Sequence, residues 1–290
     1  MTRQDLMIWL TLSFVWGASF ILIKVAGESF PPLWVALLRS CFGAAVLWAA
    51  FRWRREAWPP RELLVPLVLA ALLNNALPWT LFPWGEETVS SGIASILNAA
   101  TPLFSLGIAL AVRDAQATVW VGLGVLIGLL GVGLTVSGSL AGGHATALGV
   151  QLVLLATLSY AVATALSKRY LQGVSALSLA TSQLSLSALM LLPLALLTEW
   201  PSQVSAASLA GAAALGVFGS GLAYLLFYTL LARTSATQTT AITYSLPVWG
   251  LFWGYLAGER FGLLPLLGVV VVVAGLVLLN WQPGPRRAAA

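Results

Sequence analysis

The sequence predicts an all-α polytopic membrane protein, ten transmembrane helices built as two inverted repeats of five. Three observations carry that prediction. Of 290 residues, 59% are hydrophobic and only 8% charged, whereas soluble domains average about 25% charged residues; a globular surface could not be wetted by so few ionisable groups. Ten stretches are long and apolar enough to cross a hydrocarbon core of about 30 Å at about 1.5 Å per residue. The second half of the chain echoes the first at an offset of 144 to 145 residues.

In chain order the spans fall at about 5–26, 31–51, 63–83, 88–111, 118–137, 147–169, 175–197, 206–231, 237–257 and 262–281. The connections are short and marked by turn chemistry: Glu28-Ser29-Phe30-Pro31-Pro32, Trp58-Pro59-Pro60, the Gly138 to Gly143 stretch and Glu199-Trp200-Pro201. No soluble domain fits between them. The first span is long, holds Lys24 and lacks a small-residue cleavage site, so it reads as a retained helix rather than a signal peptide. Cys41 is the sole cysteine and His144 the sole histidine, which excludes a disulfide framework and a metal site.

Basic residues set the orientation, because Lys and Arg resist translocation. With the N-terminus cytoplasmic, that side holds Arg3, Arg52, Arg54, Arg55, Arg61, Arg113, Lys168, Arg169, Arg233, Arg286 and Arg287, against Arg260 alone on the other; Lys24 and Arg39 lie within spans. Both termini are therefore expected in the cytoplasm. The positive charge reports topology, not nucleic-acid binding. Trp53, Trp58, Trp84 and Trp200 lie near span ends, where indoles anchor at the headgroup level.

The repeat aligns punctuating residues. Lys24 matches Lys168 and Trp16 matches Tyr160; Trp79 matches Tyr224, Phe82 matches Phe227, Pro102 matches Pro247 and Asp114 matches Glu259; Gly124 and Gly131 match Gly268 and Gly275. An odd number of spans per unit makes the halves, residues 1–139 and 140–290, enter the membrane from opposite sides. That is a recurrent plan of secondary transporters, whose site lies at the midplane between halves.

These residues resemble the drug/metabolite transporter superfamily in its EamA-type ten-helix branch, on the strength of the paired repeats, Trp16-Gly17 followed by Lys24, and the Pro102/Asp114 and Pro247/Glu259 signatures. Within the branch, the tryptophan-rich sequence is most similar to the YddG-type aromatic amino-acid exporters. The resemblance covers nearly the whole chain. It implies a basket of ten helices around a central cavity that moves small metabolites out of the cytoplasm by alternating access.

Polar groups inside lipid locate the expected binding site. Proline removes a helix hydrogen bond and frees a carbonyl four residues upstream: Pro102 frees Asn98, Pro247 frees Thr243 and Pro78 frees Asn74. Substrate-binding candidates are Trp16, Asn74, Trp79, Asn98, Tyr160, Tyr224, Tyr228 and Tyr244, whose rings and amides suit a planar, amphipathic solute. For Asn75, Thr80 and Ser245, lining the cavity and bonding between helices stay equally open. Lys24 is expected to snorkel to the interface. Arg39, deeper in span two, is a candidate for a substrate carboxylate, with packing against helix-end carbonyls as the alternative. Gly250, Gly254 and Gly258, and Gly124 with Gly128, read as close helix packing.

All nine acids fall in loops or at span ends, so no buried acid is expected to carry protons; Glu259 and Asp114 are expected to cap the following span or pair locally. The resulting expectation is no enzyme and no cofactor, but a monomeric, facilitated exporter of aromatic or other neutral amino acids in the cell inner membrane. The alternative is a broad-specificity drug/metabolite efflux carrier with proton coupling. An intramembrane enzyme would need a catalytic group set at depth that this sequence lacks.

Overall fold

The computed structural model describes residues 1–112, 118–143, 145–201, 203–234, 239 and 242–279. Arg113, Asp114, His144, Arg286 and Arg287 lie outside them. Every regular element among the described residues is helical. In chain order these are α1 (Arg3–Gly27), α2 (Pro32–Trp53), α3 (Arg61–Glu86), α4 (Ser91–Ala111), α5 (Val119–Ala141), α6 (Ala147–Tyr170), α7 (Ala176–Leu196), α8 (Ala206–Arg233), α9 (Ile242–Leu256) and α10 (Leu263–Leu279). The first eight are long and apolar enough to cross a bilayer, whereas α9 and α10 are shorter, with 15 and 17 residues.

The helix starts follow from side-chain chemistry. The first amides of a helix have no partner within it, and a hydroxyl just before the first turn can accept from one of them. Thr2, Thr118, Thr146, Ser175 and Ser205 do so for α1, α5, α6, α7 and α8. At α1 the arrangement is reciprocal, because the Asp5 carboxylate accepts from the Thr2 amide. Proline opens α2, where its missing N–H would have had no helical partner anyway.

Three helices are interrupted. Ahead of Pro102, α4 divides into Ser91–Asn98 and Thr101–Ala111. A wide π turn interrupts α3 at Leu72–Ala76 just before Pro78, and another interrupts α8 at Val217–Leu222. The two π turns start 145 residues apart, the offset of the sequence echoes.

Helix contact in lipid depends on close packing rather than on hydrophobic expulsion. The pairing of α5 with α10 shows this most clearly. A Cβ added at Gly131 would sit 2.8 Å from the Gly268 carbonyl oxygen, and one at Gly275 would sit 2.8 Å from that of Gly124. Only hydrogen at these positions lets the two backbones touch. A large core of buried aliphatic and aromatic residues joins α1 to α4 with α6, α7 and α8, while Leu126, Val119 and Leu197 are among many large apolar side chains left on the outside. An outer surface of that kind suits hydrocarbon. Of the expected interfacial indoles, Trp53 is almost fully exposed, whereas Trp58 stacks on Trp48 and Trp200 packs edge-on against Trp34.

Candidate functional site

The site is built around Arg39. α2 and α8 approach closely, since a Cβ at Gly216 would meet the Arg39 carbonyl and the Gly43 amide. That approach brings the π turn of α8 level with Arg39, whose Nε donates to Ser220 Oγ at 2.9 Å. The guanidinium lies over the Trp79 ring, 4.0 Å from its centroid. Arg39 is only 8% exposed, and no carboxylate among the described residues lies within ion-pair distance of it. Of the two environments expected for it, helix-end carbonyls are not what it meets; a hydroxyl and an indole face are.

Further residues extend the site along α3, α6, α7 and α8. The Trp79 indole donates to Tyr160 Oη at 3.1 Å. Asn74 and Asn75, carried on the π turn of α3, both donate to Tyr224 Oη at 3.3 Å, and Asn74 also donates to Gln183 Oε1 at 3.0 Å. Widening α3 there also exposes the Leu73 carbonyl, which accepts from Ser159 of α6 at 2.7 Å. Tyr224 stacks on Tyr228 with ring centroids 5.9 Å apart. A cavity of about 370 Å³ reaches Tyr228 from the end of the molecule that carries Arg54, Glu56 and Arg233. The chemistry assembled here is a buried cation, two amides, phenols and aromatic faces.

Five of the nine sequence candidates thus fall into two contact groups, Arg39–Trp79–Tyr160 and Asn74–Tyr224, both drawing on α3 and α8, with Tyr228 stacked on Tyr224. Trp16 does not face Tyr160; it packs on Phe227, with centroids 5.5 Å apart, in a separate cluster of α1, α8 and α9, and joins the site only through the contact of Phe227 with Tyr228. Asn98 takes part in none of these contacts, and its freed carbonyl accepts from Thr101 Oγ1 at 2.7 Å. Tyr244 is half-buried on α9 against the main core. Thr80 and Ser245 bond carbonyls of their own helices. Ser220 and Gln183 were not among the sequence candidates.

At the opposite end of the bundle three expectations need correction. Lys24 does not snorkel alone: its Nζ contacts Glu259 Oε1 at 2.7 Å. Glu259 does not cap the helix that follows it; its carboxylate accepts from the Ser91 and Gly92 amides at 2.9 and 3.1 Å, the first turn of α4. Burial works against its charge, but Lys24 and those two amides outweigh burial and hold the carboxyl below the usual glutamate range. The third correction concerns Glu86. It ends α3, as its sequence position implies, yet it is buried, and both its carboxyl oxygens lack a hydrogen-bond partner among the described residues.

The family model of the EamA-like transporter family matches residues 4–137 and again 147–281. Similar proteins include the uncharacterized inner membrane transporter YedA of Escherichia coli K12, 28% identical over 93% of this chain and 88% of its own, and the uncharacterized transporter YoaV of Bacillus subtilis 168, 24% identical over 96% and 97%. An uncharacterized transporter of Archaeoglobus fulgidus is 28% identical over 96% and 97%. A solved chain described as "Crystal structure of protein" superposes with a TM-score of 0.71 at 17% identity, covering 97% of each chain, a likeness of fold alone. With the family pattern matched in both halves and in nearly every described helix, this chain belongs to the EamA-like transporter family.

Proposed function

We propose that this protein exports small metabolites, foremost aromatic and other large neutral amino acids, across the inner membrane by alternating access between two inverted five-helix repeats. The observation that carries the substrate class is Arg39: a buried guanidinium with only a hydroxyl as hydrogen-bond partner among the described residues, laid on the Trp79 indole, which in turn donates to Tyr160 Oη. An uncompensated cation in a low-dielectric interior is costly. A carboxylate could pair with it bidentately while an aromatic side chain stacks on the neighbouring rings.

Several features support the repeat architecture. The family pattern matches twice, the π turns recur at the echo offset, and the Gly131–Gly268 and Gly124–Gly275 approaches mirror each other. Inter-helix polar contacts also join loops that a ten-span alternation puts on one side: Lys24 with Glu259, Ser29 with Ser205 and Thr88 with Thr146 at the outer end, Asp5 with Arg233 and Glu56 with Ser175 at the inner end. The cavity at the arginine-rich end and the ion pair at the other fit a state open toward the cytoplasm. The relatives named as inner membrane transporters fit the same location.

Purified protein in lipid vesicles loaded with unlabelled tryptophan should take up labelled tryptophan or phenylalanine by counterflow. Linear, non-saturating flux, or flux blind to these solutes while other metabolites exchange, would refute the substrate class. One observation favours a second reading, a broader efflux carrier with proton coupling: the buried Glu86, which removes the reason for expecting simple facilitation.

A further inference from the structure

The outer end gathers polar atoms that the protein leaves unmet. Among the described residues, six buried side-chain nitrogen and oxygen atoms lack a hydrogen-bond partner: both carboxyl oxygens of Glu86, Ser90 Oγ, Ser91 Oγ, Trp34 Nε1 and Asn75 Oδ1. All but the last belong to the outer ends of α2, α3 and α4. Buried polar groups in folded proteins are nearly always paired, so a cluster of orphans calls for an explanation. Glu86 is its most costly member, because an ionised carboxylate out of water needs an ion pair or hydrogen-bond donors, and among the described residues it has neither.

One turn below Glu86 on α3, Phe82 packs edge-on against Phe20 of α1, with centroids 5.7 Å apart, and stacks on Tyr160 of α6 at 5.9 Å. One turn above Phe20 stands Lys24, but its ammonium is taken by Glu259. The charged groups acting on Glu86 are Glu259, Lys24 and, from α2, Arg39. Its α3 neighbour Glu87 is exposed, Tyr160 is the titratable group that α6 brings beneath it, and α4 brings the Ser90 and Ser91 hydroxyls. Lys24, one of the two cations acting on Glu86, is thus already paired with a second carboxylate. Glu86 is not among the residues that line the cavity beside Tyr228, Arg54, Glu56 and Arg233, and its side chain is only 6% exposed. The one ligand that neutralises such a group without needing space is a proton.

We propose that Glu86 is a proton-binding site that ties closure of the outer end to protonation: the end closes over a neutral carboxylic acid and opens when Glu86 ionises beside Glu259. The inference takes the outer end as a gate from the alternating-access reading above, but it does not depend on which solute is carried. Its consequence is that net export varies with pH at the outer face and that Glu86 is the group responsible.

Two substrate-free measurements test it. Infrared titration of the purified protein should show a protonated carboxyl band that persists well above the pH at which exposed glutamates ionise and that vanishes in Glu86→Gln. In a Cys41→Ser, Ile93→Cys background, labelling by a membrane-impermeant maleimide should rise with alkaline pH and become low and flat in pH with Glu86→Gln, which mimics the neutral acid. Glu86→Asp should keep a pH response with a displaced midpoint, so the site remains testable if the glutamine variant fails to assemble. A protein without the infrared band, or a glutamine variant whose labelling follows pH as before, overturns the proposal. Failure of tryptophan counterflow alongside both expected results would sink the substrate assignment and leave Glu86 standing.

Discussion

Arg39 and Trp79 hold each other in a way that yields quantitative expectations. A hydrogen bond to a charged group is worth about 1.5–3 kcal/mol, which corresponds to roughly ten- to hundredfold in affinity. Arg39→Met keeps the length of the side chain and removes the charge, so the half-saturating concentration for an aromatic amino acid should rise by about that factor, while the corresponding decarboxylated amine should be unaffected. Concentration-dependent counterflow checks this, and equal losses for acid and amine would assign Arg39 to packing. Tyr160→Phe removes only the acceptor of the Trp79 indole. Leaving one neutral donor unmet costs about 1–3 kcal/mol, so the indole should loosen and transport should weaken several-fold without loss of the fold. Intrinsic tryptophan fluorescence, recorded beside counterflow, would register the freed ring.

Helices made much of this site legible in the sequence and hid the rest. Proline positions point correctly to interrupted segments in α3 and α4, because a missing N–H is a local property. What they do not reveal is how each break is healed. At Asn98 the neighbouring Thr101 hydroxyl takes the carbonyl, whereas at Leu73 the partner comes from Ser159 on another helix, a matter of tertiary packing. The π turn of α8 contains no proline, only Val217-Phe218-Gly219-Ser220-Gly221-Leu222, so nothing local announced that Ser220 would reach Arg39. The echo of Asn75 at position 220 was the one available signal. Glu86 differs from expectation for a related reason: its place at the end of a span is visible in the chain, but its burial is a matter of tertiary packing at that end, where α6 comes so close that a Cβ on the adjacent Gly85 would meet Val153 and the Gly149 carbonyl. The glycine seam was legible in part: the spacing of Gly124 and Gly128 reads as close packing, whereas Gly131, Gly268 and Gly275 stand out in the chain only as repeat mates. Gly275→Leu inserts four carbons where backbones touch, and overpacking of this kind costs typically about 1–3 kcal/mol. The unfolding midpoint in detergent should fall by several degrees, whereas Gly122→Leu, on the same helix pair but with open space around it, should change it little.

At the scale of the whole molecule, the Lys24–Glu259 ion pair, together with Ser29–Ser205 and Thr88–Thr146, fastens one half of the chain to the other at the end proposed to face outward. Lys24 is 44% exposed on its side chain, so solvent screens the pair and the bridge alone is worth about 1 kcal/mol or less; the two amide bonds from α4 add to it. Glu259→Gln should therefore shift the balance between closed and open outer ends by at least about fivefold, read as faster maleimide labelling at the outer face. Exchanging the charges, Lys24→Glu with Glu259→Lys, should recover only part of the closure, because a lysine cannot accept from the Ser91 and Gly92 amides. Full recovery would mean that the amide contacts contribute nothing. The pH dependence separates this latch from Glu86. A carboxyl held below its ordinary range contributes closure that is complete above that range and is lost only as pH falls through its own lowered value. Mild acidification from neutral pH therefore leaves Glu259 charged and the latch intact, and a transition in outer-end labelling within the neutral range must come from another group. If Glu259→Gln abolishes that neutral-range transition while Glu86→Gln preserves it, the roles assigned here to the two carboxylates are reversed.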